Sequence, residues 1–472
     1  MQATFPAAHY ALLSSRLVPG ADGGFLVAVL ARARQMAAAG VNAGRGPMLL
    51  TLDPASPAEH AAHRETFVRA GQAASEDLFV NLFDEAIADP EWLRDAAVPG
   101  EATRGVTYRT ITDAAGAPVL SLPVISSPEW WRTEVNVVVH GAGGDRVLPG
   151  FRGLYRAWLD VVVARLRDRD RSLPVVVICE SRQVGELLAG WRTAGVCLIH
   201  TIHTSHLDPA RLPAHAMNDL WTAWFVVIDA FDAVLWPTRQ QRDDVAAMLG
   251  ARDTDAVVPN AVAPHPGALA PPVPGRVVVV GRLAPGKRID HTLRAWRRVV
   301  EEVPHAHLEV VGDGPLRAEL LALVEEWGLT SSVTFRGHVE PVLEVFDGAE
   351  VMVQSTAFEG QGLAALEAAS RGCPVVSYDV RYGPRDLLAS GGGILVPDGD
   401  TDALAAAIVS VLTDPSLRDR LAREALARAA AHTPEHAMAA MGEAVRRAIA
   451  HAVARGSADG DGDSVDELIL PL

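Results

Sequence analysis

The chain alternates short, wholly apolar runs with longer stretches of mixed polarity. Tyr10–Leu13, Met48–Leu52, Val175–Cys179, Val196–His200 and Ala233–Trp236 are strand-length and almost unbroken in their hydrophobicity. Runs of that kind fit strands covered on both faces, as in parallel sheets. Helix-length segments lie between them, the clearest being Phe25–Ala39, entered through Gly23-Gly24. The rhythm restarts at the strand Arg276–Val280. It continues as helix Asp290–Glu302, strand His307–Val311, helix Leu316–Trp327, strand Ser332–Phe335, short helix Pro341–Phe346 and strand Val351–Gln354. Helix Gly362–Arg371 and strands Val375–Tyr378 and Ile394–Val396 follow. The pattern predicts an α/β protein of two doubly wound, Rossmann-like domains facing a cleft, with ligands at the carboxyl ends of the strands.

Two stretches break the rhythm. Between about 75 and 151 the short segments Thr107–Thr112, Ala117–Pro123 and Val135–His140 are separated by Gly, Asp and Pro, which predicts a β-rich insertion in the first domain. Residues 259–274 hold too many prolines for a regular element and read as the linker. The expected division is therefore 1–265, 266–440 and a C-terminal segment 441–472. A helical region is expected over Asp402–Ala454, and the Asp- and Gly-containing tail Gly456–Leu472 is expected to lack regular structure.

Composition narrows the picture. At 472 residues and 49% hydrophobic, the chain can fill two cores. It has no run of about 20 apolar residues, so no membrane-spanning helix is expected, and its first residues do not read as a signal peptide. Cys179, Cys197 and Cys373 lie apart in apolar stretches and read as reduced, buried thiols of a cytoplasmic protein, with peripheral attachment at the inner membrane face left open. The net charge of −16 opposes binding to nucleic acid or to anionic lipid at large. A local patch of Arg165, Arg167, Arg169 and Arg171, interleaved with Asp168 and Asp170, reads as a solvated helix end.

Four clusters carry candidate chemistry. Glu359-Gly360-Gln361-Gly362-Leu363 and Glu367 follow the strand Val351–Gln354 and open a helix, whose free N–H groups and dipole suit a pyrophosphate. Glu359 stands before the helix, within reach of a sugar. Glu367 lies inside it, where a carboxylate accepts from ribose hydroxyls. Gly281-Arg282 and Lys287 lie on a Gly/Pro loop after a strand; fixed cations there favour a diphosphate leaving group most in the transition state. Gly312-Asp313-Gly314-Pro315 reads as a strand–helix turn. His200, His203 and His206 are spaced by three, but without HExxH or a carboxylate and cysteine set they do not read as a metal site. One of them is expected to reach the cleft and the others to be structural.

Taken together, GRLAPGKRID, VVGDGPLRAEL, VTFRGHV, the E-x7-E block, RGCPVVSYDV and VVPNAV resemble the family 4 retaining glycosyltransferases of GT-B fold over residues 257–400. The segment Tyr378–Asp386 is similar to a subgroup of teichoic-acid and Ser/Thr-adhesin α-glycosyltransferases that also carry a β-rich insertion. The resemblance implies that Arg282 and Lys287 hold the donor diphosphate and Glu367 the ribose. It places Glu359 on the sugar hydroxyls, Gly281, Gly360, Gly362 and Leu363 at the donor backbone, and His203 near the transferred sugar. It puts Gly23 and Gly24 where the first domain approaches, and residues 336–338 near the base. It implies a uridine diphosphate sugar, UDP-glucose or UDP-GlcNAc, as donor, no cofactor and no metal. The implied acceptor is a hydroxyl of a cell-wall polymer, a protein or peptide, or a small molecule; a homo-oligomer is also considered. The alternatives are a non-catalytic GT-B partner subunit and a dinucleotide oxidoreductase. The latter is disfavoured because Leu12–Gly24 lacks G-x-G-x-x-G.

Overall fold

The structure is a computed structural model that describes residues 4–21, 23–207, 217–265 and 267–459. The first half holds a seven-stranded parallel sheet. Its order is Asp255–Val257, Ala233–Trp236, Val196–Thr201, Val175–Cys179, His9–Ser14, Met48–Thr51 and Phe79–Asn81. The second half holds a six-stranded parallel sheet ordered Val333–Gly337, His307–Val311, Arg276–Val280, Val351–Gln354, Val375–Tyr378 and Gly393–Val396. The central strand Val175–Cys179 pairs on both sides in unbroken register, and its side chains are buried on both faces.

The insertion is a five-stranded antiparallel sheet of Val98–Pro99, Tyr108–Thr112, Pro118–Pro123, Val137–Val139 and Arg146–Leu148. It begins later than the sequence pattern suggested, because Phe79–Asn81 pairs parallel to Met48–Thr51 and completes the first sheet. A three-residue strand is too short to show its period in the sequence. The helix Gly150–Arg169 then returns the chain to the main sheet. At its end Arg171 pairs with Asp168, and Arg167 donates to the Ala194 carbonyl, so the arginine run is a solvated helix end.

The helical C-terminus divides into Thr401–Thr413, Pro415–Ala429 and Pro434–Asp459. The last crosses back to the first half, where Ala437, Met438, Met441, Ala444, Val445 and Ala448 join its core. A Cβ at Gly442 would stand 1.9 Å from the Thr4 carbonyl oxygen, so the helix and the N-terminal strand entry touch there. Gly456 to Asp459 are the last residues of that helix and not loose tail; residues 460–472 lie outside the described residues. No helix among the described residues is long and apolar enough to cross a membrane. All three cysteines are free and buried.

A buried charged cluster braces the loop after Met48–Thr51. His60 places Nδ1 2.7 Å from Asp84 and Nε2 3.1 Å from Asp53, while Arg64 also pairs with Asp84. Burial opposes a charge on this imidazole, but the hydrogen bonds and charges of Asp53 and Asp84 outweigh it and lift its pKa from 6.5 to about 9. The native state therefore holds this proton more tightly than the unfolded chain. The contribution, on the order of 3 kcal/mol, is complete below pH 6.5 and is lost as the pH rises through about 9. Urea midpoints measured across that window should fall with pH, and His60→Gln should flatten that part of the slope. An unchanged slope in the variant would assign the loss to other groups.

Candidate active site

The cleft between the halves is built from backbone clamps. The loop after Arg276–Val280 packs on the turn after His307–Val311. A Cβ at Gly312 would meet the Gly281 carbonyl oxygen at 2.0 Å, and one at Gly314 the Leu283 oxygen at 2.5 Å. Leu283 donates to the Asp313 carbonyl at 2.9 Å, and Leu316 returns a bond to Leu283 at 3.0 Å. Gly312-Asp313-Gly314-Pro315 is thus the support on which Gly281–Lys287 rests, more than a turn. On the other side Thr356 Oγ1 donates to the Gly286 carbonyl at 3.0 Å, and Ser355 Oγ donates to the Arg288 carbonyl at 2.7 Å. These contacts bring the Lys287 ammonium 2.5 Å from Glu359 Oε1, which also accepts from Gln354 Nε2 at 3.0 Å.

Gly362 has a left-handed φ of 78° and caps the helix Leu363–Ser370. A residue with a Cβ is strained there, and glycine is not. The first turn of that helix, from Leu363, carries N–H groups without intrahelical partners and the positive end of the helix dipole. Glu367 is half-buried on the same helix, and burial lifts its carboxyl to about 7. Gly337, at the end of Val333–Gly337, accepts from the Gly312 N–H at 2.8 Å, so residues 336–338 meet the same loop cluster.

The first half supplies the facing wall. His203 follows Val196–Thr201, and its ring meets Phe25 edge to face with centroids 5.0 Å apart. Phe25 is next to Gly23-Gly24, which open the helix Gly24–Ala38; the φ of 49° at Gly23 is what calls for glycine. A Cβ at either position would meet no protein atom within 4 Å, so the space beside them is open. Gly360 has a further constraint that the sequence does not show. Its bareness serves the facing half of the protein, because a Cβ there would lie 2.4 Å from the His203 carbonyl oxygen.

Of the other two histidines, His200 is fully buried between the rings of Trp224 and Phe231, and burial lowers it to about 3. His206 stacks on Tyr382, and burial lowers it to about 4. Both are packing residues. Among the described residues no cluster of three or more His, Cys, Asp or Glu is arranged to hold a metal.

Arg282 is exposed and is not a partner in the Lys287–Glu359 ion pair. It lines, with His203, a cavity of about 750 Å³ that the first half and its insertion enclose. The cavity also receives Arg16, Arg109 and Arg182 and the rings of Trp130 and Trp221. Its two acids are already held, Asp53 by His60 and Glu180 by Arg32.

Sequence reasoning missed Glu180 and several of the contacts that hold this site. Glu180 directly follows the buried strand Val175–Cys179, a position where a charge is itself a signal. Gln361 grips the linker: Asn260 donates its N–H to Gln361 Oε1 at 2.6 Å, and Gln361 Nε2 donates to the Asn260 carbonyl at 3.0 Å. The segment Tyr378–Asp386 joins the halves, through the Arg381–Asp244 ion pair at 2.7 Å and the Tyr382–His206 stack.

Two parallel sheets of this order, facing each other over a cleft, are the GT-B fold. The sequence profile described as Glycosyl transferases group 1 matches residues 274–414. The chain is 30% identical to 2-deoxystreptamine glucosyltransferase of Streptomyces kanamyceticus over 299 residues, 57% of this chain and 76% of that protein. The chain belongs to the glycosyl transferases group 1 family. It is also 31% identical to poly(glycerol-phosphate) alpha-glucosyltransferase of Bacillus subtilis over 198 residues, 41% of this chain. The chain spans only 29% of the length of the first curated relatives it matches. Among solved structures, Staphylococcus aureus TarM, as a mutant with fondaparinux, alpha-GlcNAc-glycerol and UDP, superposes with a TM-score of 0.73. That match covers 94% of this chain and 100% of TarM, at 14% identity, and speaks for the fold.

Proposed function

We propose that the protein is a retaining glycosyltransferase. It moves a hexose or N-acetylhexosamine from a uridine diphosphate sugar to a hydroxyl of a polymer or protein. The observation that carries the donor half is the Lys287–Glu359 contact beside the helix N-terminus at Gly362. Breaking the glycosidic bond places negative charge on the diphosphate. Lys287, Arg282 and the Leu363 N–H stabilise that charge as it grows, which lowers the barrier more than it tightens binding. When the diphosphate takes Lys287, Glu359 is released to accept from the sugar hydroxyls. Glu367 accepts from the ribose. The incoming hydroxyl attacks on the leaving-group face and passes its proton to the departing phosphate. The two glutamates are therefore binding groups; a hydrolytic acid and nucleophile would have to flank the scissile bond.

For the acceptor we infer a polyol-phosphate polymer of the teichoic type. The protein is acidic overall, yet the cavity facing the donor loop is lined by Arg16, Arg109, Arg182 and Arg282. Among the described residues Arg109 has no carboxylate partner and donates only to the Pro54 carbonyl. Trp130, which is exposed, offers a face on which polyol and sugar carbons pack. The similarity to poly(glycerol-phosphate) alpha-glucosyltransferase points the same way. The test is nucleoside diphosphate release from a panel of sugar nucleotides, with poly(glycerol phosphate), a Ser/Thr-rich peptide and an aminocyclitol as acceptors. Release with no donor would sink the enzyme reading. Transfer to the peptide or aminocyclitol alone would sink the polymer.

The pH behaviour of Glu367 adds a check. Its carboxyl must be ionised to accept two ribose hydroxyls, and its pKa in the folded chain is about 7. UDP affinity measured by calorimetry should weaken as the pH falls below about 7, and Glu367→Gln should remove this limb while lowering affinity at pH 8. A wild-type limb that persists in the variant would assign it to the phosphate alone.

A further inference from the structure

A buried polar strut runs from His203 to the E-x7-E loop. Glu180 is 2% exposed and lies at the carboxyl end of Val175–Cys179. Its carboxylate accepts from Arg32 Nη1 at 2.8 and 2.7 Å and lies 2.5 Å from His203 Nε2. Burial pushes this carboxyl up, but the Arg32 guanidinium and His203 outweigh burial and hold it at about 2. An ionised carboxylate can only accept, so the proton in the short contact sits on His203 Nε2. Arg32 is itself 4% exposed and donates as well to Thr201 Oγ1 at 3.2 Å. Its other nitrogen lies 3.5 Å from Asn260 Oδ1, and the Asn260 backbone is the partner of Gln361.

Neither Arg32 nor Glu180 has a role in the donor chemistry described above. Two charges at this depth are costly to desolvate, and a pair of packed apolar side chains would serve the core at least as well. What they do that apolar groups could not is fix the ring of His203. With Nε2–H committed to Glu180, Nδ1 is the ring nitrogen left to meet a ligand. No hydrogen bond to Nδ1 is made among the described residues. The His203 backbone meanwhile rests against Gly360.

We infer that Glu180 and Arg32 are positioning residues that lock His203 in its Nε2–H form, so that Nδ1 accepts from a hydroxyl of the transferred sugar, and that tie this ring to the E-x7-E loop through Asn260 and Gln361. The inference rests on the donor reading given above for His203. Glu180 does not touch the sugar; it acts through the imidazole.

The experiment uses the full chain and two variants. Glu180→Gln keeps an acceptor for Nε2–H but loses the charge. The double variant Arg32→Met with Glu180→Met removes the whole pair, an exchange that buried pairs often tolerate. Nitrogen NMR of histidine-labelled protein reads the His203 tautomer, assigned with His203→Gln. The expected result is an Nε2–H tautomer in wild type and in Glu180→Gln, and a mixture of tautomers in the double variant. In the double variant kcat should fall about 10²-fold, as for a misplaced group at the reaction centre. UDP affinity should stay within about threefold, because the nucleotide does not meet His203; Glu180→Gln should recover most of the lost kcat. The inference is overturned if the double variant retains the wild-type tautomer, or if its kcat stays within about threefold of wild type. It is equally overturned if kcat, UDP affinity and melting temperature fall together, since that is the mark of a merely structural pair. The tautomer is read without any substrate, so its failure is distinct from a failure of wild type to bind UDP, which would strike the donor reading instead.

Discussion

Lys287→Ala is expected to lower kcat/KM by about 10²- to 10³-fold, the usual cost of losing one preorganised group at a developing charge. The loop that carries Lys287 is held by Gly312 and Gly314 on one side and by Ser355 and Thr356 on the other. The ammonium is thus placed before substrate arrives, and little rearrangement offsets its gain. Removing it also leaves the Glu359 carboxylate, 13% exposed, with Gln354 as its remaining partner. A carboxylate in that position would repel an incoming diphosphate, so KM for the donor should rise together with the fall in kcat. Stability should change little, by about 1 kcal/mol or less, because the lysine is still one third exposed. Lys287→Arg should recover part of the activity, since it restores the charge with a different shape. Nucleoside diphosphate release at saturating and limiting donor separates the two parameters. Turnover of Lys287→Ala within about tenfold of wild type would remove the lysine from the leaving-group role.

Gly360→Ala is the second large effect, and its cause lies between the two halves. The added methyl would stand 2.4 Å from the backbone oxygen of His203 and 3.1 Å from the Thr204 Cα. A backbone carbonyl cannot rotate aside, so either the E-x7-E loop or the whole facing wall must retreat. A retreat on the order of 1 Å separates Glu359 from His203 and costs roughly 10²-fold in kcat. Each half keeps its own core, since Gly360 lies outside the parallel strands of both sheets. The melting temperature should therefore fall much less than activity does. A scattering or crosslinking measurement should show a more open cleft. Wild-type kcat in Gly360→Ala would mean that the halves do not meet at His203 during turnover.

Most elements of both parallel sheets were legible because their strands are continuous apolar runs and their helices have helical length. Phe79–Asn81 and Asp255–Val257 escaped because three residues carry no readable period. The C-terminal helix reads in the sequence as a separate segment because Ala-rich periodicity marks a buried face without saying whose core receives it. Its Met438, Met441 and Val445 pack on the first sheet.

The candidate site divides in the same way. Local chemistry wrote the donor side into the sequence. A basic Gly/Pro loop after one strand and two acids seven residues apart after another are short-range patterns, and the ends of parallel strands bring such loops together. Arg282, Lys287, Glu359 and Glu367 could therefore be named from the chain alone. Three features needed the tertiary structure. Lys287 meets Glu359 across 72 residues, Glu180 meets Arg32 across 148, and Gln361 meets Asn260 across 101. No window of sequence contains such pairs. A lone Arg in an apolar helix face or a lone Gln between two glycines has a bland local explanation, and only burial and the closing of the cleft reveal its partner. The sequence determined the fold class and the donor loop, because both follow from periodicity and from residues near one another in the chain. The tertiary structure alone decided which half each helix joins, why Gly360 must lack a side chain, and what holds His203, because these depend on two separately folded surfaces meeting.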